Sequence, residues 1–263
     1  MRYRAVISYF GKNYVGWQRQ LNGLSVQEVL ENALSRVFGA PTQATASGRT
    51  DAGVHAEGQV VHFDAETSIP PEKIPFAVNT ELPQDVSMLE CRPADDSFNA
   101  RFSAKRKTYR YSVYVSRHRK PILENTRTHV VVPLNIDAMR ESAALIEGEH
   151  DFRCFEASGS AVKSTVRTVY SVRIDAEGKF AGGKLHEGTA DIYVTGNGFL
   201  YNMVRIIAGT LVYVGCGKLT ADDVKRILET GDRTLAGKTL PPEGLSLVSV
   251  EYDEGGEGGN RQC

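Results

Sequence analysis

The chain has 263 residues, of which 41% are hydrophobic and 24% charged, with a formal net charge of −1; these are the proportions of a folded globular protein, large enough for one big domain or two ordinary ones, and they exclude a disordered chain or a uniformly basic one. No run of about 18 apolar residues occurs, which excludes an ordinary transmembrane helix. The opening MRYRAVISYFG alternates apolar with polar residues, where an export signal would have a basic start and an apolar segment, so the cytoplasm is the expected compartment and no membrane partner is expected.

In chain order, RYRAVISY places Tyr3, Ala5, Ile7 and Tyr9 on one face and reads as a strand. After a loop with Gly11 and Gly16, Ser25 and Glu28 form a capping-box pattern ahead of Val26, Val29, Leu30, Ala33, Leu34, Val37 and Phe38. This predicts a helix that stops at Gly39. A short extended segment follows from Pro41 to Ala46, then the loop SGRTDAGVHA from Ser47 to Ala56, then a strand from Gln59 to Phe63. IPPEKIPFAVNTELP reads as a short helix between prolines. TYRYSVYV, Thr108 to Val115, is a strand rich in aromatic and β-branched residues. Asn135 or Asp137 starts a helix closed by Gly148; Val166 to Ile174 and Ala190 to Thr195 are strands; Phe199 to Val214 is a buried helix; Thr220 and Asp223 cap another to about Leu228; and Leu247 to Glu251 is a last strand.

That order fits an α+β chain with a mixed, largely antiparallel sheet and helices packed on it, in two halves that meet near Asp95 to Ala104. The expected domains are 1–100, carrying the SGRTDAGVHA loop, and 101–252; the acidic, glycine-rich 253–263 is expected to be a disordered tail.

Although the net charge is near zero, RFSAKRKTYRYSVYVSRHRK carries Arg101, Lys105, Arg106, Lys107, Arg110, Arg117, Arg119 and Lys120 and no acid. Salt screening confines electrostatics to about 8–10 Å, so a local run of this kind can neutralise phosphates on a neutral protein, or can be a solvated face. Other candidates carry less. Gly237-Lys238-Thr239 ends like a phosphate-binding loop, but Gly231 is one residue too distant and Pro241-Pro242 blocks the helix that should follow. Gly196-Asn197-Gly198 lacks the third glycine of a dinucleotide fingerprint. His55 and His62 have no companion cluster at ligand spacing and read as core or surface histidines. Cys91, Cys154, Cys216 and Cys263 are far apart with no C-x-x-C pair and read as reduced thiols.

Asp51, in SGRTDAGVHA, has two readings. TDAG can be a turn in which Asp bonds its own backbone and Gly53 tolerates positive φ. Alternatively, small Ala52 and Gly53 admit a planar ligand close to the backbone while a nearby guanidinium keeps the carboxylate ionised as a nucleophile or base. SGRTDAGVHA resembles the active-site motif of the TruA-type tRNA pseudouridine synthase family. So do GWQRQ at Gly16 to Gln20, SVQEVLENAL, GQVVHF at Gly58 to Phe63, FNARFSA at Phe98 to Ala104, YRY at Tyr109 to Tyr111, FLYNMVRIIAG at Phe199 to Gly209 and PPEGLSL at Pro241 to Leu247, in order and over nearly the whole chain.

The resemblance implies an isomerase that needs no cofactor or metal, converting uridine to pseudouridine at tRNA positions 38, 39 and/or 40 in the anticodon stem-loop. It implies Asp51 as the catalytic carboxylate, Tyr109 packed on the target base, Arg205 as ion partner of Asp51, Arg49 reaching toward the RNA and Leu245 lining the base pocket. It also implies a homodimer of two similar α+β lobes, with sheets joined around a central basic cleft and helices on the outer faces. Extruding a base from a stem costs a few kcal/mol, and phosphate contacts from Arg101, Lys105 and Arg106 are expected to offset it.

Overall fold

In the computed structural model the described residues are 1–159 and 162–253; apart from Asp253, the expected tail lies outside them. The N-terminal half opens with β1 (Arg2–Tyr9), whose burial alternates residue by residue. Helix α1 (Val26–Phe38) is capped where the pattern placed it: the Ser25 side chain accepts from the Glu28 N–H, and Gly39 takes φ +68° at the other end. β2 (Thr45–Ala46) and β1 both pair antiparallel with β3 (His55–Asp64). β3 begins four residues before the predicted strand, because its first residues are held by long-range pairing that local alternation does not encode.

Helix α2 (Ile74–Asn79) follows a turn at Pro71–Lys73, and β4 (Val86–Pro93) lines the outer edge of β1. The sequence pattern missed β4. Its pairing slips between Val6 and Ile7, so the buried positions run Val86, Met88, Cys91 and the period of two is broken.

In the C-terminal half β5 (Ala104–Val115) is joined at its far end by parallel β6 (Thr128–Val130). Helix α3 (Ile136–Ala144) has Asn135 as its cap, the side chain accepting from the Ala138 N–H, and it ends short of Gly148. β7 (Gly148–Asp151) pairs with β8 (Val166–Ala181), which forms a long hairpin with β9 (Lys184–Gly196) through Gly182-Gly183, both at positive φ. The predicted strands are the base of this hairpin; its outer arm is mostly polar and exposed, with buried Leu185 an isolated apolar anchor that makes no alternating pattern. Helix α4 (Met203–Gly215) starts later than expected because Asn202 sits at φ +60°. Helix α5 (Ala221–Thr230) carries a complete capping box between Thr220 and Asp223.

β10 (Leu245–Tyr252) then enters between the halves, parallel to β3 (Ser246 opposite His55) and antiparallel to β5 (Leu247 opposite Tyr109). One ten-stranded sheet results, in the order β4-β1-β3-β10-β5-β9-β8-β7, with β2 on β3 and β6 on β5. The expected α+β class and mixed, largely antiparallel sheet are what the chain forms. One core gathers β1, β3, α1 and α2 around Tyr3, Ile7, Leu30, Leu34 and Phe63; a second gathers β5, β8, β9 and α3 to α5 around Tyr111, Phe152, Ile192 and Ile207. Tyr109 packs against both. No helix among the described residues is long and apolar enough to cross a membrane.

Candidate active site

The loop from Ser47 to Val54 crosses the seam between the two cores, and its backbone is held from several sides. Ser47 N–H donates to Val60 O at 2.8 Å, and Val54 N–H donates to Asp51 O at 3.1 Å, closing a turn with Gly53 at φ +79°. Beneath it lies a buried polar network. Ser47 Oγ donates to Gln59 Oε1 at 2.6 Å, Gln59 Nε2 donates to Gly48 O at 2.9 Å, and Tyr9 and Thr50 share a hydrogen bond of 2.7 Å. Ser47 and Gln59 are fully buried, so each polar atom there needs its partner.

From the other side Gly16 bridges to Asp51 and the Trp17 N–H donates to Thr50 O at 3.0 Å. Gly16 has φ +108°, and a Cβ there would lie 2.6 Å from Thr50 O, so glycine is required twice over. The GWQRQ segment is therefore a clamp on the Asp51 loop.

Asp51 and Arg205 come together as an ion pair, Nη1 to Oδ2 at 3.8 Å, with side chains 39% and 15% exposed. Arg205 is fixed by its other contacts: Nε donates to Leu240 O at 2.7 Å and Nη1 to Asn202 Oδ1 at 2.6 Å. The left-handed turn at Asn202 is what aims that amide. Burial pushes the Asp51 carboxyl above its ordinary pKa, and Arg205 opposes the shift. This corrects the expectation that a guanidinium would set the direction; desolvation is the larger effect. Gly209 and Gly237 explain how Leu240 gets there. A Cβ on Gly209 would meet Lys238 O at 2.0 Å and one on Gly237 would meet the Thr210 nitrogen at 2.4 Å, so the G-K-T segment serves close backbone packing on α4.

Asp51 opens into a cavity of about 770 Å³ whose lining includes Arg49, Arg101, Lys107, Tyr109, Phe199 and Leu245. That volume suits a small-molecule-sized group. Tyr109 meets Phe199 edge to face at 5.3 Å, and burial pushes its phenol pKa up. Leu245, 7% exposed, opens β10 opposite Tyr111. Arg49 is exposed at the rim.

Of the three run cations expected to contact phosphate, Arg101 lines the cavity, whereas Lys105 pairs with Asp253 at 2.8 Å and Arg106 lies over Tyr170 at 4.5 Å, neither in the lining. Lys107 and Phe199 were not singled out. Strand parity would have found Lys107, which sits two residues from Tyr109 on β5. Gln59 acts through hydrogen bonds to Ser47 and Gly48, 12 and 11 residues away, which no local pattern encodes, and Asn202 acts through an i,i+3 contact with Arg205 that depends on its left-handed backbone.

His55 is a structural tie. Nδ1 accepts from the Gly11 N–H at 2.9 Å, which leaves the proton on Nε2, facing Asn125 O at 2.9 Å and Glu243 O at 3.2 Å. Phe10 stacks on the ring at 4.6 Å. Burial lowers the His55 pKa, so the native state keeps it neutral while the unfolded chain binds a proton below about pH 6.5. Native stability contributed by this group is therefore present above about pH 6.5 and lost as pH falls through the lower native value. His55→Gln is expected to cost about 1–3 kcal/mol at neutral pH and to reduce the fall in stability between about pH 7.5 and pH 5.5. Urea unfolding at both pH values measures it. Part of the fall should persist through His62, which shifts the same way.

Comparison with known proteins gives consistent results. A family model described as tRNA pseudouridine synthase matches residues 5–103 and 143–253. A protein named tRNA pseudouridine synthase A from a Thermoanaerobacter species is 46% identical over 247 residues, 94% of this chain and 98% of its own length. Proteins of the same name from Ruminiclostridium cellulolyticum and Bacillus velezensis are 45% and 46% identical, covering 95% and 96% of this chain and 98% and 100% of their own.

Proposed function

Given that the chain belongs to the tRNA pseudouridine synthase family, we propose that it isomerises uridine to pseudouridine at positions 38, 39 and/or 40 of the tRNA anticodon stem-loop, with Asp51 as the catalytic carboxylate. The observation that carries the reading is the Asp51–Arg205 pair at the edge of a cavity lined by Arg49, Arg101 and Lys107. The reaction breaks the bond from C1′ to N1, turns the uracil and joins C1′ to C5; N1 gains a proton and C5 loses one, so no co-reactant is consumed. Asp51 attacks the sugar or the base, or assists elimination to a glycal. Tyr109 packs on the turned base and Leu245 lines its other side. Arg205 holds the carboxylate in line, and the tight backbone at Gly16 keeps it from swinging away.

Arg49 and Arg101 reach the RNA, with Lys105 and Arg106 as outer phosphate contacts. Because a stem base must be extruded, a cavity of this size beside cations serves the reaction better than an open groove. Residues 1–100 and 101–252 act as two units, a reading supported by the two cores, although Val54 joins the second core, Leu247 and Val250 join the first, and Tyr109 packs against both. The protein works as a cytoplasmic homodimer, which its mass in solution tests.

The deciding experiment incubates purified protein with unmodified tRNA transcripts and maps pseudouridine base by base. Conversion confined to positions 38–40 is the expected result; unmodified uridines there, with tRNA bound, would remove the reading.

A further inference from the structure

We infer that Lys107 is the phosphate-binding group of the cavity, its ammonium offering to a phosphodiester of the bound RNA the hydrogens that the protein leaves unused. The inference rests on the functional reading above for the identity of the ligand, and on the following geometry for the site.

The cations of the basic run are not equivalent. Lys105 is paired with Asp253, Arg110 with Glu57 at 2.6 Å, Arg119 with Glu124, and Lys120 with Glu187 at 3.1 Å. Arg106 lies against Tyr170 and Arg101 against the exposed ring of Phe102. Lys107 differs from all of these. It is half-buried in the cavity wall, and its Nζ donates to the Ser47 carbonyl at 2.6 Å. No carboxylate of the described residues makes an ion pair with it, and the one acid in the cavity lining, Asp51, faces Arg205.

An ammonium carries three donors, and a partly desolvated charge with a single neutral acceptor is costly unless an anion completes it. A phosphate suits it: lysine binds phosphate as a point charge without the planar fork that carboxylate recognition favours. The position also couples the contact to the chemistry. Ser47 opens the Asp51 loop, and a Cβ on Gly48 would come within 3.0 Å of Nζ, so the loop backbone and the ammonium lie against each other. Lys107 thus places the RNA strand and the loop on one atom.

A consequence is that the contact titrates. Burial, reinforced by Arg101, lowers the Lys107 pKa to about 8. The other charged groups lining the cavity are Arg101, Arg49 and Asp51, and the phenols of Tyr9, Tyr109 and Tyr252 are pushed up by burial, away from this window. The ammonium is present below about pH 8 and lost above it, so RNA binding weakens on that side.

The test is equilibrium binding of an unmodified tRNA transcript to wild type, Lys107→Met and Lys107→Arg across a salt series at about pH 7 and pH 9, with melting temperatures alongside. Lys107→Met is expected to weaken binding about 5–10-fold and to reduce the slope of log K against log salt by about 0.7–0.9, the share of one phosphate contact. Lys107→Arg should keep the slope and lose less affinity than wild type on going to pH 9. An unchanged slope in Lys107→Met, with lower turnover or melting temperature, would make Lys107 a strut for Ser47 and overturn the inference. Binding that responds to Lys107 in a protein forming no pseudouridine would keep this inference and remove the enzymatic reading. An active enzyme whose salt slope ignores Lys107 would do the reverse.

Discussion

Asp51→Asn is expected to lower the single-turnover rate of pseudouridine formation on the order of 10⁴-fold or more, the scale of losing an attacking group, while tRNA affinity stays within a few-fold. The asymmetry follows from what holds the loop. Asp51 is positioned through backbone contacts, with Gly16 and with Val54, and through the anchors at Ser47, Gly48 and Thr50. An isosteric amide disturbs none of them. Phosphate contacts supply most of the affinity of such an interface, and the cations stay in place.

The substitution also should not lower the melting temperature. A carboxyl whose native pKa is raised destabilises the fold above its ordinary titration range, and Asn removes that cost, while Arg205 retains Leu240 O and Asn202 Oδ1. A rate within tenfold of wild type would dismiss Asp51 as the reacting group. A collapse in affinity would make it a binding residue.

Arg205→Met is expected to reduce the rate at neutral pH by about 100-fold, the scale of a reacting group misplaced by about 1 Å, and to move the acidic limb of the pH–rate profile to higher pH. The sign is fixed by the pair: Arg205 is the influence that lowers the Asp51 pKa against desolvation, so removing it lets the pKa rise further. Coulomb's law at 3.8 Å, with an effective dielectric of about 20, gives roughly 4 kcal/mol as a ceiling. Asp51 is 39% exposed, and solvent screening cuts that to a fraction. Arg205→Lys should restore the limb without the full rate, because one ammonium cannot reproduce the planar fork shared between Leu240 O, Asn202 Oδ1 and Asp51. An unmoved limb in Arg205→Met would mean that the titrating group is not Asp51.

Much of this arrangement was legible in the sequence, for identifiable reasons. α1 and α5 carry their stop and start signals locally, at Ser25, Gly39 and Thr220-Asp223, so their ends could be read directly. Asp51, Tyr109 and Leu245 sit in contiguous motifs. β4 was hidden by a register slip, the outer β8–β9 arm by its polarity, and the start of β3 by pairing with distant β10. The sorting of the cations was hidden for a further reason: Lys105, Arg106 and Lys107 are neighbours in sequence, but a paired surface charge, a ring contact and a cavity wall take one each. Charge runs give a sum, and only the tertiary partners of each side chain divide it.

The placement of β10 has a consequence for how the protein is made. The strand that fills the middle of the sheet leaves the ribosome after every other described strand, so until it arrives β3 at His55–Ala56 and β5 from Ala104 to Tyr111 are unpaired on that side, which invites association with other chains. A polypeptide interrupted before residue 245 would lack the apolar wall at Leu245 as well as the seam between the cores. Such an unfinished chain is expected to form no pseudouridine, and a truncation ending before residue 245 incubated with tRNA checks it.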